Sequence, residues 1–137
     1  HRLERALIAG DLAVPDLPGA WNDRMRELVG VVPPDDRVGC LQDIHWPVGG
    51  FGYFPCYTLG AMLAAQLFRA AQAQMPDLLF SIGQGDFAPL LGWLREHVHG
   101  QGCLPRFSEL VEHASGGPLA VEPFLAHLRQ RYLGEAG

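Results

Sequence analysis

From Tyr57 to Gln74 the sequence sets apolar side chains nearly all round one helix, through Leu59, Met62, Leu63, Ala64, Leu67 and Ala71. A helix without a polar face is usually central and buried, so this stretch predicts the longest element and sets the fold class. The flanking segments repeat the helical period. Leu3, Leu7 and Ile8 share one face, with Gly10 as a stop. Asp16 is a candidate N-cap with Pro18 in the first turn, and Trp21, Met25, Leu28 and Val29 then form a stripe that ends at Gly30. Met75 to Phe80 reads as a short helical turn or a second short helix, and Ser81 to Gly85 as a loop. Asp86 is the next candidate cap, before a stripe of Phe87, Leu90, Leu91, Leu94 and Val98 closed by Gly100. A helix over Phe107 to Ala114 precedes Gly116-Gly117, and a last one begins near Pro123 with Phe124, Leu125, Leu128 and Tyr132. Strong period-two alternation is missing, so the expected class is all-α. No repeat or domain boundary stands out, and residues 1–137 read as a single helical segment.

Composition narrows the function. A chain of 137 residues that is 48% hydrophobic is long enough for a core and too apolar for disorder. Its net charge of −5, with scattered basic residues that are all arginine, gives no footprint for nucleic acid. No apolar run reaches the roughly 18 residues of a membrane span, so no membrane partner is expected. Cys40, Cys56 and Cys103 lack Cys-x-x-Cys spacing, which favours reduced thiols and a cytoplasmic setting.

Polar, aromatic and glycine residues concentrate in a candidate pocket loop, about 39–57. Gln42, Asp43 and His45 bring an amide, a carboxylate and an imidazole together, and Trp46, Phe51, Tyr53, Phe54 and Tyr57 bring aromatic walls and two phenols. A binding pocket needs apolar walls with a few placed polar groups. Each residue also has a plainer reading. His45 can be satisfied by backbone in a tight loop, Asp43 can bond the amides of its own turn, and the tyrosines can be core packing. Asp43 and Gln42 can equally serve as outer supports that fix the tautomer and orientation of an imidazole. No metal site is expected from these residues. Cys40, His45 and Cys56 fit no zinc-finger spacing, and His97 and His99 point to different faces of a helix.

The run Gly39-Cys40-Leu41-Gln42-Asp43-Ile44-His45-Trp46 fits Gly-x-x-Gln-Asp-x-His-Trp, which resembles a signature of the carboxypeptidase Taq family of metallocarboxypeptidases, peptidase family M32. Phe51-Gly52-Tyr53-Phe54-Pro55-Cys56-Tyr57 resembles that family's Phe-Gly-Tyr-Phe-Pro-Thr-Tyr, with Cys56 in place of Thr. Asp16-Leu17-Pro18 with Trp21-Asn22, and Trp93-Leu94-Arg95-Glu96 with His99, are similar to its flanking segments. The family's His-Glu-x-x-His is not in this sequence, nor is its arginine motif for the substrate carboxylate. Together with an opening that reads as mid-helix, this predicts a C-terminal helical segment of a larger, mainly helical, zincin-like carboxypeptidase.

The resemblance implies a parent that releases single residues from peptide C-termini, with a metal-bound water activated by the upstream glutamate. It implies a divalent metal, zinc, in that parent and none in this segment. It places the Gly39–Trp46 motif along the active-site groove, so His45 is expected to contact substrate or steady the reacting carbonyl. Tyr53, within the glycine run rather than at the helix start, is the phenol expected to stabilise the oxyanion, with Gln42, Asp43, Trp46 and Tyr57 binding substrate or supporting. The implied partners are the peptide C-terminus, the N-terminal catalytic part and a second copy in a homo-oligomer. The isolated segment is expected to be inactive. The rival expectation is a catalytically inert helical binding or dimerisation domain.

Overall fold

A computed structural model describes residues 1–134 and shows an all-α chain, with no strand among the described residues. It divides into two units, His1–Tyr57 and a second from Thr58 onward.

In the first unit α1 (Arg2–Ala9) and α2 (Leu17–Val29) both end where the sequence places glycine. Gly10 and Gly30 take φ of 80° and 75°, and their amides close back on carbonyls of the last turn. That left-handed stop suits a residue without Cβ. Asp16 does occupy the N-cap position of α2, but its side chain makes no cap hydrogen bond. A 3-10 turn over Val14–Asp16 leads directly into the helix, and Asp16 has helix-like φ and ψ of −89° and −6°. The α2 stripe is only half used, since Trp21 and Met25 are partly buried while Leu28 and Val29 are exposed. After α2 the chain makes 3-10 turns over Asp36–Val38, Cys40–Gln42 and Trp46–Val48. Asp35 caps the first by accepting the Val38 N–H.

Helix α3 (Pro55–Gln74) is the longest element, as the sequence predicts, and the division between the units falls in its first turns. The second unit continues through α4 (Leu78–Gly83), α5 (Ala88–His97), α6 (Phe107–Ser115) and α7 (Glu122–Leu128), which runs into a π-helical turn over Arg129–Leu133. Its core gathers Ala71 from α3, Leu78 from α4, Trp93 from α5 and Ala114 from α6.

Several expectations need correction. Helix α3 is not buried all round: only Gln66 and Ala71 are, and Leu59 is 45% exposed. One strip of the helix meets the core cluster, and burial follows that strip rather than the apolar character of the helix as a whole. The Ser81–Gly85 loop is largely helix, because Ser81 N–H reaches the Asp77 carbonyl and the turn stops only at Gly85, with φ of 79°. On α5 the buried residue is Trp93, whereas Phe87 and Leu91 are exposed. Trp93 can enter the core because its indole N–H donates to Gln74 Oε1 at 2.9 Å and His97 stacks on its ring at 4.5 Å. Helix α5 ends at His97, before Gly100, and a 3-10 turn over His99–Gln101 closes at Gly102.

Candidate functional site

The pocket loop folds back on His45. The Gly50 N–H donates to the His45 carbonyl at 2.7 Å. An ideal Cβ at Gly50 would lie 3.1 Å from that same carbonyl oxygen and 3.3 Å from His45 Cβ, so a side chain there would require His45 to give way slightly. Gly52 then takes φ of 75°, and the chain enters α3 with Cys56 and Tyr57 amides bonded to the Tyr53 and Phe54 carbonyls. Tyr53 lies just before α3 and Tyr57 in its first turn, and their rings meet edge to face at 5.4 Å.

The centre of the site is an Asp43–His45–Tyr57 chain. Asp43 Oδ1 accepts from both the backbone N–H and Nδ1 of His45, each at 2.9 Å. His45 Nε2 lies 3.0 Å from the Tyr57 hydroxyl. An ionised carboxylate only accepts, so Nδ1 carries a proton towards Asp43; when the ring is neutral, Nε2 then accepts from the Tyr57 O–H. The Asp43 side chain is 7% exposed and that of His45 19%, so the carboxylate is nearly dry while one ring edge faces outward. Tyr53 stacks on the imidazole at 5.6 Å, and Phe54 meets its edge at 5.2 Å. Tyr53, Phe54 and Tyr57 are each about half exposed. The result is an oriented imidazole in an open aromatic wall, with the Tyr53 phenol free of any hydrogen-bond partner among the described residues.

The sequence-predicted residues divide accordingly. Asp43, His45, Tyr53 and Tyr57 come together. Gln42 stands apart, its amide donating to the Arg37 carbonyl at 2.6 Å, so it ties the loop to the preceding turn. Trp46 starts the Trp46–Val48 turn, half-buried, and is not among the rings stacked on His45. Sequence reasoning missed Glu4, which is buried in α1 and accepts the Gly52 N–H at 2.6 Å. Its signal was faint but present: an acid whose i+3 and i+4 neighbours on the helix are Leu7 and Ile8 sits beside the apolar face.

Residues 1–132 match the model of the carboxypeptidase Taq (M32) metallopeptidase family. The chain belongs to the M32 family. It is 44% identical to thermostable carboxypeptidase 1 of Thermus thermophilus over 130 residues, 95% of this chain and 26% of that protein. Thermostable carboxypeptidase 1 of Pyrococcus furiosus is 38% identical over 96% of the chain and 26% of its own length. The M32 carboxypeptidase from Deinococcus radiodurans R1 superposes with a TM-score of 0.90 at 42% identity, covering 96% of this chain and 27% of that one. The chain therefore spans about a quarter of the relatives it matches.

The M32 match encloses both the pocket loop and Glu4. Among the described residues no three His, Cys, Asp or Glu side chains converge as they would around a metal ion. Asp43 and His45 lie side by side, with both imidazole nitrogens partnered. No helix among the described residues is long and apolar enough to cross a membrane.

Proposed function

We propose that the chain is the C-terminal part of a metal-dependent carboxypeptidase, and that the pocket loop forms one wall of the groove receiving the end of a peptide. The observation that carries this reading is the oriented imidazole of His45, held between a nearly dry carboxylate and a phenol within an open aromatic wall. A structural histidine is hydrogen-bonded too, so what supports the reading is that this aimed ring keeps one edge open beside a free phenol. Tyr53 brings a free phenol donor beside it, suited to the oxygen that gains charge when a peptide carbonyl is attacked. His45 and Tyr53 contact substrate, Asp43 fixes the imidazole tautomer, Tyr57 completes the chain, and Trp46 and Gln42 hold the loop. The metal, zinc, belongs to residues outside this segment, which alone is inactive.

The partners proposed are a peptide C-terminus, the catalytic remainder and a second copy. Phe51, Phe54, Leu59 and Phe80 are all exposed here, and such apolar surface favours covering by further protein. The exposed free thiols of Cys56 and Cys103 suit a reducing, cytoplasmic setting.

His45→Ala in the full-length enzyme tests the reading. The expected result is a fall in kcat/KM of about a hundredfold, the scale of a lost positioned imidazole, with an unchanged far-ultraviolet circular dichroism spectrum. Undiminished turnover would leave a helical scaffold or dimerisation domain as the better description.

A further inference from the structure

We propose that Glu4 is a positioning residue of the groove, whose buried carboxylate holds the glycine-rich loop in the shape that brings Tyr53 onto His45. The inference rests on the groove reading above. Glu4 is 2% exposed. A carboxylate so removed from water is costly unless its oxygens are bonded. Both are: Oε1 accepts the Gly52 N–H at 2.6 Å, and Oε2 lies 3.0 Å from His1 Nδ1. Gly52 is 48 residues away in sequence and directly precedes Tyr53.

The placement matters because little else holds that part of the loop. The bond from the Tyr53 amide to the Gly50 carbonyl is long, 3.4 Å, and an ideal Cβ on Gly52 meets nothing within 4 Å. Glycine at φ of 75° is also the residue with most freedom to leave that conformation. A short bond from a buried carboxylate to the Gly52 amide fixes the peptide plane from which Tyr53 departs. A loop released there keeps Tyr57, which is set by α3 and bonded to His45, but loses the stack of Tyr53 on the ring. Helix α1 thereby reaches the site without placing any side chain in it.

The full-length enzyme carrying Glu4→Gln or Glu4→Asp separates reach from charge. Gln keeps the reach and an acceptor oxygen. Asp keeps the charge but falls one methylene short of Gly52. The expected result is that E4D speeds hydrogen exchange of the 49–54 segment about tenfold and lowers kcat by about tenfold, with α3 exchange unchanged, while E4Q stays within about threefold of wild type in both. The reverse order, or wild-type exchange at 49–54 in E4D, overturns the proposal. If E4D does not fold, E4Q decides alone, and a tenfold loss there, on the scale above, overturns it. His45→Ala is measured in parallel. A kinetically silent H45A sinks the groove reading, whereas the exchange result still reports whether Glu4 holds the loop.

Discussion

Replacing Asp43 separates the orientation of His45 from its mere presence. One oxygen, Asp43 Oδ1, accepts both the His45 backbone N–H and Nδ1–H. Bonds to a charged group contribute roughly 1.5–3 kcal/mol each, and an orphaned buried donor costs about 1–3 kcal/mol. In Asp43→Ala water can reach the ring nitrogen in part, since the His45 side chain is 19% exposed. The backbone N–H gains less from water, because the carboxylate it faced lies in a nearly dry site, 7% exposed. The net expectation for D43A is a loss of about 2–4 kcal/mol. Asp43→Asn keeps an acceptor oxygen in the same place and should lose only about 1–2 kcal/mol, the difference between a charged and a neutral acceptor over the two bonds. Urea unfolding gives the stability, and long-range proton–nitrogen spectra of His45 show which ring nitrogen carries the proton. D43A should shift His45 away from the Nδ1–H form, and D43N should hold it. A D43A variant that loses less than about 1 kcal/mol and keeps the Nδ1–H form would refute the reasoning, because the carboxylate would then orient nothing.

Two further perturbations read the scaffold around the site. Gly50→Ala forces a methyl to within 3.1 Å of the His45 carbonyl, which can retreat only by stretching the 2.7 Å bond it accepts from the Gly50 amide. The expected cost is about 1–3 kcal/mol with a shifted His45 ring spectrum, and a variant matching wild type in both would show the loop to be slack. Gln66→Leu strips a clasp in which Nε2 donates to Ser115 Oγ at 2.8 Å and to the Pro118 carbonyl at 2.9 Å while Oε1 accepts the Ala120 N–H at 2.9 Å. With the side chain buried, thermal and urea unfolding should show a loss of about 2–4 kcal/mol, together with faster exchange over 115–120; unchanged protection there would rule out the clasp.

Legibility differed from residue to residue for physical reasons. The ends of α1, α2 and α6 could be read because a left-handed stop is a property of one residue, and Gly10, Gly30 and Gly116 supply it. The start of α6 at Phe107 was equally local, with the Glu109 carboxylate returning to the Arg106 N–H. The stripe of α5 was legible in part: Leu90, Leu94 and Val98 pack against the core while Phe87 and Leu91 stay exposed, because periodicity gives the faces of a helix without saying how much of a face meets a partner. Trp93 faces inward on the strength of a hydrogen bond to Gln74 on α3, 19 residues away. Asp16 shows the same limit at short range: its position was right, and its side chain caps nothing.

Sequence by itself determined the helical class, most helix positions and the kinship with the M32 family, since these depend on backbone preferences, near-neighbour periodicity and a contiguous motif. It also marked Asp43, His45, Tyr53 and Tyr57 as a group worth attention, because they lie on one short stretch. Only tertiary structure decided that Asp43 and Tyr57 take opposite nitrogens of His45, that Gln42 turns to Arg37, and that Glu4 reaches Gly52. A directed hydrogen bond needs a donor and an acceptor within about 3 Å and in line, and no pattern of residue types states where two side chains meet once the loop between them has folded.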